Sequence, residues 1–209
     1  ENPRRAWGFY GHRLNLYRQT IPHAGFHVLN SWAESRSHFV FTSNVDGQFQ
    51  KSGTPEGAIL ECHGSIHHLQ SLEGFGSIWP ADDVKVDVDE SAFLAHAPLP
   101  RDPLTSNICR PNILMFGDYG WNPTRTQHQE QRFESWLKSI ASKKLVVIEM
   151  GAGTAIPTVR NHSEQYANLH NATLIRINPR ESFVNNTHVI QNSISISTGA
   201  KDGLLSIQT

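Results

Sequence analysis

Five short apolar runs in this chain each stop abruptly at a cluster of small polar, acidic or glycine residues, and that repeated boundary constrains the fold more than any one motif. Phe39 to Thr42 gives way to Ser43-Asn44-Val45-Asp46-Gly47, and Ala58 to Leu60 to Glu61-Cys62-His63-Gly64. Asn112 to Phe116 runs into Gly117-Asp118, Leu145 to Ile148 into Glu149-Met150-Gly151-Ala152-Gly153, and Thr173 to Ile177 into Asn178-Pro179-Arg180-Glu181. Short apolar runs bounded in this way read as buried strands. In an open α/β sheet ligands sit just beyond the carboxyl ends of the strands, so these polar ends are where chemistry is expected.

Helical patterns alternate with the runs, as in a parallel sheet with crossover connections. Asn2 followed by Pro3 suits a helix start, and Trp7, Tyr10, Leu14 and Tyr17 recur at helical spacing as far as Gln19. A second helix is predicted after Pro22, where His23, Phe26, Leu29 and Ala33 share a face. The clearest helix runs from Gln127 to Lys143, with Phe133, Trp136, Leu137 and Ile140 in one stripe, and another lies between Pro157 and His170. A strand at His188 to Ile190 and a helical turn from Asp202 to Ile207 complete the pattern. Between Ser65 and Ile108 the periodicity dissolves, apart from a short predicted helix at Ser91 to His96. A structureless loop of that length is unusual in a compact domain, so residues 65–108 read as a small inserted lobe and residues 1–64 and 109–209 as the main domain. The predicted fold class is α/β, a Rossmann-like parallel sheet with helices on both faces.

A net charge of −1 gives no electrostatic reason to expect nucleic acid or a membrane surface as partner. No apolar run approaches the ~20 residues that span a bilayer, none reads as the apolar core of a signal peptide, and secretion is not expected. The only cysteines, Cys62 and Cys109, exclude a disulfide framework and a four-thiolate zinc site. Asn161, Asn171 and Asn185 open N-x-Ser/Thr triplets, but without a targeting segment the predicted setting is intracellular and cytoplasmic. Glu1 is not a natural initiator, so the chain is expected to begin inside a larger domain. Nothing in the sequence sets the oligomeric state.

TSNVDG at Thr42 to Gly47, ECHG at Glu61 to Gly64, RPNILMFGD at Arg110 to Asp118 and INPRE at Ile177 to Glu181 follow one another along nearly the whole chain. In order, they resemble the T-Q-N-I-D-G, E-L-H-G, R-P-x-I-V-x-F-G-E and I-N-x-E segments of the NAD-dependent sirtuins. Ser43 stands where that family has glutamine, and VIEMGAG at Val147 to Gly153 is a loose match to its G-T-S turn. The resemblance implies NAD as cofactor and an acyl-lysine protein or peptide as partner. It further implies removal of the acyl group with release of nicotinamide and O-acyl-ADP-ribose. By the same resemblance His63 is the catalytic histidine, and Val45 and Asp46 hold the nicotinamide carboxamide. Asn44, with Ser43 beside it, contacts the nicotinamide ribose. Gly151, Ala152 and Gly153 approach the cofactor through backbone, Asn178, Pro179 and Arg180 meet the adenosine ribose, and Phe116, Gly117 and Asp118 bind the substrate backbone. Without the resemblance, Asn44 and Asp46 are equally turn formers and His63 an ordinary packed or exposed histidine. Likewise Gly151 and Gly153 permit a tight turn, and Asn178 before Pro179 is a common loop signature.

Two departures stand out. Most sirtuins carry two cysteine pairs on a structural zinc in the small lobe, whereas residues 66–108 contain no cysteine. His67, His68 and His96 match no common structural-zinc spacing, so no zinc is expected and the lobe is expected to be held by Leu69, Leu72, Phe75, Ile78, Trp79, Phe93 and Leu94. The family's opening strand and G-A-G-I-S diphosphate loop are not found upstream of Asn2, and are expected to lie outside this sequence. Tyr10-Gly11-His12-Arg13 has the Y-x-x-R spacing of the sirtuins that prefer acidic acyl groups. By that resemblance succinyl- or malonyl-lysine is the implied substrate, since residues three apart share a helical face and a guanidinium grips a carboxylate through parallel hydrogen bonds. Without it Arg13 reads as a solvated helix residue and Tyr10 as part of the apolar stripe with Trp7 and Leu14. NAD hydrolysis or ADP-ribosyl transfer on the same fold, or a non-catalytic binding module, are the alternatives.

Overall fold

The computed structural model describes residues 2–186 and 188–208. In chain order the elements are α1 (Pro3–Gln19), α2 (Ala24–Ala33), β1 (Val40–Thr42), α3 (Gln48–Lys51), β2 (Ile59–Glu61), β3 (Gly64–Ser71), β4 (Trp79–Pro80) and β5 (Val88–Asp89). They continue with β6 (Leu94–Ala95), β7 (Cys109–Ile113), α4 (Thr124–Ser139), β8 (Val146–Met150), α5 (Thr158–Leu169), β9 (Thr173–Ile177), β10 (Ser193–Ile196) and α6 (Ala200–Gln208). The chain forms two compact units. The first takes in the residues up to Ile21, Thr42–Lys51 and Ile59–Gln131; the second takes in Pro22–Phe41, Ser52–Ala58 and everything from Arg132 onward. Residues 65–108 fall within the first unit, together with α1. Among the described residues no helix is long and apolar enough to cross a membrane.

In the first unit, α1 begins where Asn2 accepts hydrogen bonds from the backbone N–H groups of Arg4 and Arg5, with Pro3 in the first turn. Trp7 and Leu14, two turns apart on one face, are 2% and 1% exposed. Burying each contributes about 1.5–3 kcal/mol. β3 is the centre of an antiparallel sheet ordered β4-β3-β7, so β7 departs from the predicted parallel pairing. The apolar/polar pattern does not disclose β3, because its buried positions include Ser65 and Gln70. The Gln70 Oε1 accepts from Asn112 Nδ2 (2.9 Å) and the Asn122 N–H (3.0 Å), and its amide donates to the Gly120 carbonyl (2.7 Å). A polar side chain satisfied in this way is tolerated in a core.

The helix predicted at Ser91 to His96 is a turn between β5 and β6, which pair antiparallel. The Asp89 carboxylate accepts from the Ser91 N–H and hydroxyl and from the Ala92 N–H, closing that turn in competition with a helix. Residues 65–108 are held in part by the expected apolar residues, Leu69 in a buried cluster with Trp79 packed against it. Of the others expected to support them, Leu72, Phe75 and Phe93 are exposed. Helix α1 supplies further grip: Trp7 Nε1 donates to the Cys109 carbonyl, Arg4 Nε to Ala95 and Asn15 Nδ2 to Val86, each at 2.9 Å. The Arg18 guanidinium donates to the carbonyls of Val84 and Ala81. Gly8 lets the helix come this close, since a Cβ there would lie 2.0 Å from the Phe93 carbonyl oxygen.

In the second unit β8, β9 and β10 form a parallel sheet in the order β10-β9-β8. Strand alternation divides its two faces. Val147 and Leu174 pack with Ala167 of α5, and Ile148, Met150, Ile175 and Ile177 pack with Val28 of α2 and Leu204 of α6. The expected helices on both faces are present within this unit. On the α5 face lies a buried charge network: Arg176 donates to both Glu149 oxygens (2.6 and 2.9 Å), to Glu164 (2.9 Å) and to the Phe183 carbonyl (3.0 Å). Removing one partner of such a pair typically costs about 3–5 kcal/mol, because the other charge is left buried. The strand predicted at His188 to Ile190 is displaced to Ser193–Ile196. Asn186 turns the chain first, its side chain accepting from the His188 N–H and its carbonyl from Val189 and Ile190.

Candidate active site

Backbone hydrogen bonds knit the TSNVDG, ECHG and RPNILMFGD segments together in the first unit. The Thr42 carbonyl accepts from the Cys62 N–H (2.9 Å), Val45 from Ile66 (3.0 Å) and His63 from Leu114 (3.0 Å). The Thr42 hydroxyl accepts from the Asn44 N–H, and Asp46 Oδ1 from the Gln48 N–H, each at 3.0 Å, so the loop entering α3 is internally braced. Asn44 is exposed, while Ser43, Val45, Asp46 and His63 are half-buried. Just before His63, Glu61 is buried against Arg125 (2.6 Å), and its backbone N–H donates to Gln129 (3.0 Å). Burial pushes the Cys62 thiol up to about 12, which keeps it protonated and unsuited to be a nucleophile.

The end of RPNILMFGD is shaped by its own first residue. Arg110 grips Asp118 through two guanidinium nitrogens and donates to the Ile113 carbonyl (2.9 Å). The Arg110 hydrogen bonds hold the Asp118 carboxyl below its ordinary value. Phe116 and Gly117 are exposed beside it. Tyr10 is half-buried, and its phenol is raised chiefly by burial, partly offset by the nearby Arg110 charge, with Asp118 and Arg13 also in electrostatic reach. The Arg13 guanidinium stacks 3.6 Å from the Phe9 ring centroid. Among the described residues it pairs with no carboxylate.

The second unit contains the other expected cofactor residues. Asn178 is buried, its amide donating to the Ala152 carbonyl (3.1 Å) and its Oδ1 accepting from the N–H groups of Arg180 and Glu181 (2.9 Å each). Arg160 donates to the carbonyls of Ala152 and Glu181. The Thr154 hydroxyl and N–H bond the Glu181 carboxylate, and that hydroxyl bond lowers the Glu181 pKa most. Asn178 therefore joins the Gly151-Ala152-Gly153 turn to the Asn178-Pro179-Arg180-Glu181 loop, leaving Pro179 and Arg180 exposed.

The structure thus brings Asn44, Val45, Asp46, His63 and the 116–118 loop into one hydrogen-bonded framework, with Tyr10 in electrostatic reach of Asp118. It separately brings 151–153 against 178–180. Arg110, Glu61 and Arg160 are supporting residues that sequence patterning passed over. The signal available for Arg110 was its place eight residues before Asp118 in the same motif. Among the described residues no group of three His, Cys, Asp or Glu side chains could hold a metal ion.

The Sir2 family model matches residues 1–135. An NAD-dependent protein deacylase of Mycobacterium tuberculosis is 27% identical over 123 residues, covering 56% of this chain and 46% of that protein. A protein of Fusarium oxysporum f. sp. cubense named probable bifunctional ADP-ribose hydrolase/ADP-ribosyltransferase is 26% identical over 164 residues, 73% of this chain and 27% of that protein. The chain spans about half the length of the first of these relatives and about a quarter of the second. Among solved structures, a Sir2 homologue mutant in complex with 2′-O-acetyl ADP ribose has a TM-score of 0.69 at 16% identity, covering 99% of this chain and 73% of that one. Sir2Tm bound to a propionylated peptide has a TM-score of 0.62 at 17% identity, covering 95% and 79%. These likenesses establish a shared mixed α/β fold.

Proposed function

Because the chain belongs to the Sir2 family, we propose that it uses NAD to remove acyl groups from protein lysines. The observation that carries this is the backbone linkage of the His63, Asp46 and Asp118 segments into one framework in the first unit. The residues present fit the cofactor: Asn44 is exposed, and Gly151, at φ +67°, has nothing within 4 Å of where a Cβ would project. Bound NAD supplies an electrophilic ribose carbon and a nicotinamide leaving group. Val45 and Asp46 would orient the carboxamide, and Asn44 with Ser43 the adjoining ribose. Gly151, Ala152, Gly153, Asn178, Pro179 and Arg180 would meet the adenosine end. His63, as general base, would accept a proton from a ribose hydroxyl at an imidazole nitrogen. The loop Phe116-Gly117-Asp118 would hold the substrate backbone, its shape maintained by Arg110.

Tyr10 and Arg13 support an acidic acyl preference, succinyl or malonyl. A guanidinium that pairs with no carboxylate among the described residues, three residues along the helix from a tyrosine, is suited to bind a carboxylate bidentately. The two unpaired cysteines suit a reducing, intracellular setting. The relationship to the Fusarium protein favours ADP-ribosyl transfer as the second reading, with a different nucleophile in place of the acyl oxygen. Nicotinamide release in the presence of NAD and an acyl-lysine peptide tests the activity. Wild type is expected to release it, and His63→Ala to lose about 100- to 10,000-fold with an unchanged melting temperature. Full activity in folded His63→Ala protein would overturn the role given to His63.

A further inference from the structure

The loop that would orient the nicotinamide carboxamide is gripped from β3 at two points. One is the main chain, Ile66 N–H to the Val45 carbonyl at 3.0 Å. The other is a side chain: His67 Nε2 lies 3.0 Å from the Asp46 carbonyl oxygen. A carbonyl oxygen only accepts, so Nε2 carries the proton. The same imidazole lies against Gly47, at φ +67°, where a Cβ would fall 2.7 Å from His67 Cδ2. The backbone on both sides of the Asp46–Gly47 peptide therefore meets this one ring. The His67 strand position is fixed in turn by its own carbonyl, which accepts from the Ala81 N–H (2.9 Å).

We propose that His67 is a positioning residue for Asp46: its Nε2–H fixes the Asp46 carbonyl and so sets the direction in which the Asp46 carboxyl faces the nicotinamide carboxamide. This rests on the NAD-dependent activity proposed above. The Asp46 side chain already has Oδ1 engaged by the Gln48 N–H, so a small rotation of the peptide that carries Asp46 redirects the whole group. Misplacement by ~1 Å of a group that orients a substrate can cost about 100-fold in rate.

Two substitutions separate hydrogen bonding from packing. His67→Phe keeps a ring against Gly47 and removes the donor; His67→Gln removes the ring and keeps an N–H donor of similar reach. The readouts are the inhibition constant for nicotinamide and the split of kcat from KM for NAD. His67→Phe is expected to weaken nicotinamide inhibition about 10- to 100-fold, with His67→Gln recovering most of the loss. A role in packing alone reverses that order, and either that reversal or wild-type values in His67→Phe overturns the proposal. Nitrogen-15 spectra of His67 give a readout that needs no turnover: the Nε2–H tautomer supports the proposal and the Nδ1–H tautomer overturns it. Absence of nicotinamide release from wild type would instead overturn the proposed activity, and the tautomer would still decide the placement of Asp46.

Discussion

At Arg13 the sequence pattern and the structure make complementary statements. Helical spacing puts it three residues from Tyr10, and the structure shows it stacked on Phe9 without a carboxylate partner among the described residues. If it grips an acidic acyl group, Arg13→Met is expected to cost about 2–5 kcal/mol in desuccinylation while deacetylation changes little. Steady-state kinetics on succinyl- and acetyl-lysine peptides checks this, and equal slowing of both would contradict the acyl assignment. Asp118 makes a second residue-level case. Its pKa is depressed in the folded state by Arg110, so its contribution to stability is present above the ordinary value of 3.8 and is lost as pH falls through the lower folded value. Asp118→Asn is expected to flatten that part of the stability profile, as read by urea denaturation at stepped pH; a profile identical to wild type would contradict it. The boundary between apolar runs and polar clusters puts His63 and Asp46 at strand ends, but the roles proposed for them come from the motif resemblance. The work of Asn178 was not legible in the sequence, because its bonds to Ala152, Arg180 and Glu181 depend on how two separate loops meet.

Helix α1 shows which elements sequence can reveal. Asn2-Pro3 and the spacing of Trp7 and Leu14 mark its start and its buried face, but not that Arg4, Trp7, Asn15 and Arg18 reach across to carbonyls of residues 81–109. Gly8→Ala is expected to destabilise the protein by about 1–3 kcal/mol through overpacking against a backbone carbonyl that cannot move aside cheaply. Chemical denaturation measures it, and a gain in stability from the better helix former would refute the close approach. β3 escaped notice for the opposite reason: its core-facing Ser65 and Gln70 break the expected alternation, and hydrogen bonds compensate for that only once the chain is folded. The turn at Asp89 and the turn at Asn186 are similar, since short side-chain contacts there outweigh propensity.

For the molecule as a whole, the parallel sheet of the second unit was legible because two faces of alternating apolar residues leave few other solutions. The antiparallel sheet of the first was not, because its central strand is partly polar. The absence of cysteine pairs leads to the expectation that the purified protein holds no stoichiometric zinc and that a chelator leaves its melting temperature unchanged; one zinc per chain by elemental analysis would contradict it. The most direct test of the proposed chemistry is product identification by mass spectrometry after incubation with NAD and a mixture of succinyl-, malonyl- and acetyl-lysine peptides. Deacylated peptide together with O-acyl-ADP-ribose and nicotinamide is expected, whereas ADP-ribose formed with every peptide still acylated, or no nicotinamide at all, would contradict lysine deacylation.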